Sequence, residues 1–164
     1  MKVPTSNASQ LESLWLTVSS SGGRSAVIGA IYRPPDGRLS HDIDALRQQL
    51  LDVLGTDKPV YFLGDLNIDL LSPENPEAVQ YLALLTDMSL VQLVNQPTHP
   101  GSTPSQIDHI VTNQANVHIP VSVVPAHASD HDLIVAEAPF SRARRKPREL
   151  SSRVCTLKLV FDNF

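Results

Sequence analysis

Cysteine and long apolar runs are scarce in this sequence of 164 residues. The only cysteine is Cys155, which excludes a disulfide within the chain and favours a reducing compartment. No apolar run is long enough to cross a bilayer, and the polar stretch VPTSNASQ near the start lacks the features of a secretory signal peptide. These absences predict an intracellular protein, nuclear or cytoplasmic, that is neither secreted nor bound to a membrane.

Positive charge is missing from the middle of the chain. No lysine or arginine occurs between Pro59 and Phe140. Residues 1–140 carry six basic and fifteen acidic residues, whereas residues 141–164 carry seven basic and two acidic ones. A polyanion that met the central region would therefore need a metal ion, histidines or the basic C-terminal segment to offset the repulsion.

The pattern of apolar residues predicts strands alternating with helices. Strands are predicted at 14–20, 25–33, 59–63, 90–94, 107–113, 117–124 and 133–140. One predicted helix has Ser40 as its N-cap and ends at Gly55, and a second has Asn75 as its N-cap and Pro76 at its first position. This alternation predicts a mixed α/β (α+β) domain with sheet at its centre.

Apolar stripes at helical spacing predict which face of each helix is buried. The first stripe comprises Ile43, Leu46, Leu50, Val53 and Leu54, and the second comprises Val79, Leu82, Leu85 and Met88. We expect both stripes to pack against the sheet.

Composition divides the chain into three parts: a polar N-terminal segment at 1–13, the domain at 14–140 and a basic linker at 141–164. Five of the seven residues from Arg142 to Arg148 are basic. Because runs of charge prefer solvent, we expect residues 141–164 to leave the domain and to pack poorly against it.

Polar residues cluster where predicted strands end, in the motifs IYRPP (31–35), GDLN (64–67), SQIDHI (105–110) and SDHDLI (129–134). Loops at one end of a sheet come together, so these clusters can meet although they are distant in sequence. The residues that would converge are Tyr32, Asp65, Asn67, Asp108, Asp130 and His131. Carboxylates, one amide and one imidazole suit a hard divalent ion together with an acid–base pair.

Each cluster taken alone also has a purely structural interpretation. GDLN is typical of a turn, Asp108 on an alternating strand is compatible with a solvent-facing position, and a histidine such as His131 is commonly hydrogen-bonded for structural reasons. Tyr32 is compatible with a core aromatic whose hydroxyl lies at the rim. The other histidines, at positions 41, 99, 109, 118 and 127, show no metal-ligand spacing, and we interpret them as surface or loop residues.

Taken in order, the four motifs resemble the endonuclease/exonuclease/phosphatase superfamily. The closer resemblance is to the apurinic-type endonuclease domain of non-LTR retrotransposons of the jockey and chicken-repeat groups, in which GDLN is usually GDFN. The resemblance runs from about Leu14 to Phe140. It implies a two-sheet β-sandwich flanked by helices, with the active site at one end.

The resemblance also implies roles for single residues. Asp65 would orient and deprotonate the attacking water, and Asn67 would hold that water or the phosphate. His131, oriented by Asp108, would contact the phosphate, and Tyr32 would reach it too. Period-two alternation would put the side chains of Asp65 and Asn67 on one face.

By the same resemblance the cofactor is Mg²⁺, with Mn²⁺ as an alternative, held by Asp65, Asn67 and Asp130. The implied partners are DNA and, in the parent element, a reverse transcriptase domain; the oligomeric state stays open. "SQIDHIVTN" and "YRPP" favour the retroelement branch over a phosphomonoesterase of the same superfamily. A non-catalytic remnant or interaction module is a further alternative.

One part of the family pattern is missing at the N-terminus. Family members have an asparagine and a metal-binding glutamate upstream of the position of Leu14, whereas Glu12 here lies directly before a strand. We therefore expect a sandwich that is incomplete at the N-terminus, weakened Mg²⁺ binding, and weak or no endonuclease activity.

Overall fold

The structure, a computed structural model, describes residues 9–20, 23–126, 128–140 and 155–161. Within these ranges the chain forms eight strands and two helices. They run in the order β1 (Glu12–Ser19), β2 (Ser25–Tyr32), α1 (Leu39–Leu54), β3 (Val60–Asp65), α2 (Pro76–Asp87), β4 (Val91–Gln92), β5 (Asp108–Thr112), β6 (Val121–Val124), β7 (Leu133–Phe140) and β8 (Cys155–Phe161).

The strands form two sheets. The first sheet has the order β1-β2-β3-β5-β4, in which β2 and β3 are parallel and the other neighbours are antiparallel. The second has the order β6-β7-β8 and is antiparallel throughout. Its strand β6 begins only at Val121, later than predicted, because Pro120 has no backbone N–H to donate to a ladder.

Alternation along β3 explains how the layers stack. Tyr61 and Leu63 belong to an apolar cluster that lies between the two sheets. The second sheet contributes Ile134 and Ala136 of β7 to this cluster. Phe62, between Tyr61 and Leu63 in sequence, points the other way, into a cluster shared with both helices. The predicted α/β fold, a two-sheet sandwich flanked by helices, is therefore confirmed.

Helix α1 begins two residues earlier than a Ser40 cap would allow. Arg38 is at the N-cap position and makes no side-chain capping bond, so the prediction for Ser40 was wrong. The predicted stripe is correct: Ile43, Leu46 and Leu50 are buried, and Val53 and Leu54 pack partly against the same cluster.

Helix α2 begins as predicted, but its buried face matches the predicted stripe only in part. Asn75 accepts a hydrogen bond from the backbone N–H of Glu77 at 3.0 Å, and Pro76 follows it. The buried residues are Ala78, Tyr81, Leu84 and Leu85, whereas Val79 is 52 % exposed. The predicted stripe is correct for Leu85, which is buried, and for Met88, which packs partly against the same cluster, but it is wrong for Val79.

Strand β8 lies inside the segment predicted to be a basic linker. Its backbone pairs with β7 along its whole length, from Phe140 opposite Cys155 to Ile134 opposite Phe161. The linker prediction is therefore wrong for residues 155–161, in which Leu157, Leu159 and Phe161 recur with period two. Residues 141–154 lie outside the described residues, as do Ser21 and Gly22 of the predicted β1–β2 turn.

The N-terminal boundary also differs from the prediction, since Glu12 and Ser13 already belong to β1. This strand is the edge of the first sheet, and Leu14 and Leu16 on it are 60 % and 53 % exposed. Neither of the helices described is long and apolar enough to cross a membrane.

Candidate active site

Two carboxylates face each other across the end of the first sheet. Asp65 ends β3 and Asp108 begins β5, and the two residues are directly opposite in the antiparallel ladder. Side chains that are opposite in a ladder point to the same face, so both carboxyl groups enter the space between the sheets. Both residues are buried. A pair of like charges without water around it is costly, and it calls for positive charge nearby.

The second sheet supplies an imidazole at this point. His131 lies just before β7, and its Nδ1 lies 2.9 Å from Oδ2 of Asp108. The backbone N–H of His131 donates to the hydroxyl oxygen of Ser129 at 3.1 Å. Potential ligand atoms of Asp65, Asp108 and His131 all lie within 4.8 Å of one another. Residues from three motifs that are far apart in sequence thus meet at one end of the sandwich.

Asp65 has the electrostatics of a proton acceptor. Burial raises the pKa of the Asp65 carboxyl above its ordinary value. Hydrogen bonds from Asn67 and the charge of His131 act in the opposite direction, while the negative charge of Asp108 adds to the increase. A carboxylate with a raised pKa binds a proton more strongly at neutral pH, which suits a general base.

Asn67 reaches the site by a different route from the predicted one. It lies beyond the end of β3 with φ of 49°, so strand alternation does not apply to it and that explanation was wrong. Its backbone N–H donates to Oδ1 of Asp65 at 2.9 Å, and its side-chain Nδ2 donates to the carbonyl of Arg33 at 2.8 Å. A local turn closed on Asp65 therefore fixes this residue.

Arg33 supports this turn from behind and was missed by the sequence analysis. It is only 2 % exposed, and its Nε donates to Oδ2 of Asp42 at 3.2 Å. Its guanidinium also donates to the carbonyls of Leu66 and Asn67, each at 3.3 Å. A signal existed, since Arg33 lies inside the IYRPP motif. Asp42, in the first turn of α1, is the buried partner of this arginine.

Gly64 allows β2 and β3 to come close at the site. Its φ is 151°, and a Cβ at this position would collide with the carbonyl oxygen of Ile31. Just beyond, the backbone N–H of Arg33 donates to the carbonyl of Asp65 at 2.9 Å. Tyr32, the last residue of β2, is therefore held at the same end of the sheet as Asp65. It is 42 % exposed.

Asp130 lies in a neighbouring group rather than with the other predicted metal ligands. Its Oδ2 lies 3.9 Å from Nε2 of His99, and the ring centroids of His99 and His131 are 5.0 Å apart. The possible ligand atoms of these three residues lie within 4.8 Å of one another. The structure thus groups Asp130 with two histidines, and not with Asp65 and Asn67.

His109 was wrongly interpreted as a surface or loop residue, and His99, although it lies in a loop, has possible ligand partners that its spacing in the sequence does not indicate. His99 lies beside His131. His109 is fully buried on β5, where its Nε2 lies 3.1 Å from the carbonyl of Ile68 and its ring stacks on Tyr81 with centroids 5.0 Å apart. Burial lowers the pKa of His109 to about 4. The alternation of polar and apolar residues along β5 suggested that one face is exposed to solvent. Both faces of this strand are in fact buried, so His109 lies in the core.

The donor set at the end of the sandwich fits a hard divalent cation. Asp65 and Asp108 offer carboxylate oxygens, the ligands that Mg²⁺ and Mn²⁺ prefer. A cation there would also offset the two neighbouring negative charges. His131, already hydrogen-bonded to Asp108 through Nδ1, is better placed to act on a substrate oxygen than to complete such an oxygen-rich site.

Comparison with known proteins places these residues in a family. The model of the Endonuclease/Exonuclease/phosphatase family matches residues 7–131, a range that contains all six predicted site residues. The chain belongs to this family. No curated protein matches the sequence.

Solved structures of the family share the fold. The endonuclease domain of TRAS1, a telomere-specific non-LTR retrotransposon, has a TM-score of 0.61 at 16 % identity over 73 % of this chain and 60 % of its own. The mannosyl-6-phosphatase Bt3783 of Bacteroides thetaiotaomicron has a TM-score of 0.52 at 14 % identity over 73 % of this chain and 54 % of its own. At such identities the likeness shows the fold alone.

A third structure, D. rerio TDP2 complexed with a single-strand DNA product, has a TM-score of 0.50 at 13 % identity over 74 % of this chain and 59 % of its own. The chain thus spans between half and three fifths of the length of these three structures. The neighbours thus include an endonuclease domain and a phosphatase.

Proposed function

We propose that the chain is a metal-dependent phosphodiesterase domain that cuts DNA, of the type found in non-LTR retrotransposons. The observation that carries the proposal is the 2.9 Å contact between Asp108 and His131 beside the buried carboxyl of Asp65. A base, an oriented imidazole and a cation site in one place are the parts that hydrolysis of a phosphodiester requires. The motif order and the fold shared with the TRAS1 endonuclease domain support the retroelement branch.

Asp65 would take the proton of the attacking water. The bond from the Asn67 backbone fixes the orientation of the carboxylate, and burial raises its pKa when no ion is bound. A divalent ion, when bound by Asp65 and Asp108, would supply positive charge to the phosphoryl oxygens. The turn that Arg33 supports keeps this carboxylate in position during the reaction.

His131 would bind a phosphoryl oxygen and stabilise the charge that develops on it. Asp108 engages Nδ1, so the ring is held in one orientation and Nε2 is the nitrogen that would face the substrate. Tyr32 would add a hydroxyl donor from the neighbouring strand end, where it is partly exposed. The side chain of Asn67, which donates to the carbonyl of Arg33, has its oxygen left to orient the water.

DNA binding would depend on charge outside the central region. Residues 59–140 contain no lysine or arginine, and Arg33 is buried. The phosphate backbone would be met by the bound cation and by the basic residues between Arg142 and Arg148. We therefore propose weak binding that falls steeply with salt. A reverse transcriptase domain as partner in the parent element stays a prediction.

The cation site itself should be weak. One of its two carboxylates, Asp108, already accepts from His131, so Asp65 is the main charged donor. Mg²⁺ is reluctant to lose its water and demands regular geometry, whereas Mn²⁺ tolerates a poorer site better. We expect faint nicking with Mg²⁺ and stronger nicking with Mn²⁺.

Nicking of supercoiled plasmid tests the proposal. Wild-type chain should convert plasmid to the open-circular form with Mn²⁺, and chelation should stop the reaction. Asp65→Ala and His131→Ala should each lower the rate by roughly a hundredfold or more. Asp52→Ala, an exposed acidic residue in the last turn of α1, is the matched control and should leave the rate unchanged.

Three outcomes would overturn this proposal. They are nicking that survives Asp65→Ala, the absence of metal-dependent nicking under all conditions, and hydrolysis of p-nitrophenyl phosphate without nicking. The last would favour a phosphomonoesterase, and the second a non-catalytic module. Robust nicking with Mg²⁺ would contradict the expectation of a weak cation site while keeping the function.

A further inference from the structure

We propose that His99, Asp130 and His131 form a second metal site, selective for Zn²⁺ or a similar transition-metal ion, whose occupation blocks the catalytic site. The three residues offer two imidazole nitrogens and one carboxylate oxygen within 4.8 Å of one another. Two histidines and a carboxylate with an open fourth position are a common zinc ligand set. The blocking of catalysis, but not the binding, rests on the proposed function.

The backbone holds the two ligand-bearing segments together. His99 pairs with Ser105 through two backbone hydrogen bonds of 3.0 and 3.1 Å, which close the loop 98–105. The backbone N–H of Asp132 donates to the carbonyl of Thr98 at 2.7 Å. Thr98 and Asp132 are each the immediate neighbour of a ligand, so this bond fixes the distance between His99 and His131. The loops therefore bring the imidazoles together before any ion binds.

Asp108 orients one ligand from behind. Its Oδ2 lies 2.9 Å from Nδ1 of His131, which leaves Nε2 as the nitrogen through which His131 would bind an ion. A carboxylate behind a histidine ligand fixes the ring and raises its basicity, and this arrangement recurs at zinc sites. Asp108 itself is buried and rigidly placed at the start of β5.

The remaining geometry needs only side-chain adjustment. Tetrahedral zinc with bonds of about 2.0–2.2 Å separates its ligand atoms by about 3.4 Å. Nε2 of His99 and Oδ2 of Asp130 are already 3.9 Å apart, and the Asp130 side chain is 81 % exposed and able to rotate. His99 is 34 % exposed, so an ion can enter from solvent.

The ligand chemistry separates this site from the one at Asp65. Imidazole binds Zn²⁺ far better than Mg²⁺, which prefers carboxylate and water oxygens. His131 belongs to both groups of residues, however, and one imidazole cannot bind zinc and a phosphoryl oxygen at once. Zinc should therefore inhibit without occupying the oxygen ligands of the catalytic cation.

Zinc affinity of the purified full chain, measured by competition with a chromophoric chelator, tests the site without any activity. Wild-type chain should bind one Zn²⁺ ion with an affinity that lies within the working range of the chelator. His99→Ala, and the more conservative His99→Gln, should weaken binding about a hundredfold, since losing even an outer partner of a ligand costs roughly 10–100-fold. Asp65→Asn should leave the affinity nearly unchanged.

Two further variants serve as controls and should leave the zinc affinity unchanged. They are His118→Ala, at an exposed histidine, and Cys155→Ser, which removes the only thiol. Binding that persists in both His99 variants, is absent from the wild type, or is lost in either control would overturn the proposal. In the nicking assay, added zinc should inhibit wild-type chain more strongly than His99→Gln. Equal inhibition of both would reject the blocking role, whereas failure of nicking alone would reject only the proposed function.

Discussion

The carboxylate of Asp108 and Nδ1 of His131, 2.9 Å apart, join the two sheets at the end where the candidate site lies. Asp108→Asn should lower the nicking rate roughly ten- to hundredfold, because the ring loses its orienting charge. The double variant Asp108→Asn/His131→Ala should lose less than the product of the two single losses, since part of the Asp108 effect acts through His131. Rates in the plasmid assay with Mn²⁺ measure this; additive losses would show that the two residues act separately.

The buried ion pair between Arg33 and Asp42 should make a large contribution to stability. Arg33→Met leaves the carboxylate of Asp42 buried without its partner, so the free energy of unfolding should fall by about 3–5 kcal/mol. Urea denaturation measures the change. The exposed pair of Arg47 and Asp87 provides the control, for which Arg47→Met should cost less than about 1 kcal/mol. Equal losses in the two variants would contradict the structural role given to Arg33.

Asp65 should lower the stability of the fold at neutral pH. Burial raises its pKa in the folded protein, so its stabilising contribution is present below the pKa of the unfolded chain and is lost as pH rises through the raised value. Asp65→Asn should therefore unfold at a higher temperature than wild type at pH 7, and the difference should vanish near about pH 3. Asp44→Asn, at an exposed position of α1, should show no such pH-dependent gain.

His109 should make the fold sensitive to mild acid. Burial lowers its pKa from 6.5 to about 4. At a pH between these two values the unfolded chain therefore binds a proton that the folded chain does not bind. The contribution of neutral His109 to the free energy of unfolding is complete above about pH 6.5 and is lost as pH falls toward about 4. Its total is on the order of 3 kcal/mol.

The slope of unfolding free energy against pH between these limits measures this effect. His109→Gln should flatten the slope, whatever its effect on absolute stability, while the exposed His118→Gln should retain the wild-type slope. An unchanged slope in His109→Gln would assign the acid sensitivity to other groups.

Local signals in the sequence predicted a large part of the fold. The Asn75–Pro76 start of α2 and the full extent of β7 depend on capping, proline geometry and alternation within a few residues. Strand β8 was missed because the basic residues before it dominated the interpretation of the whole segment. The buried face of α2 was predicted only in part, because apolar residues occur on both sides of this helix and the sequence alone does not choose between them.

The candidate site was predictable only in its outline. The order of the motifs along the sequence was enough to predict that Asp65, Asp108 and His131 lie close together, because strand ends converge whatever the conformation of the loops. The place of His99 depends on one backbone hydrogen bond between Thr98 and Asp132, which no local pattern encodes. The partnership of Arg33 with Asp42 likewise requires knowing that helix α1 returns over the end of β2.

The packing of Gly64 against Ile31 limits how this sequence can change over generations. Any side chain at position 64 would push the end of β2 away from β3, because the Ile31 carbonyl occupies the space that a Cβ needs. Tyr32 and Arg33, which follow Ile31 directly, would move with it and away from Asp65. A sequence that replaced this one glycine would keep every polar group of the site and still lose their alignment.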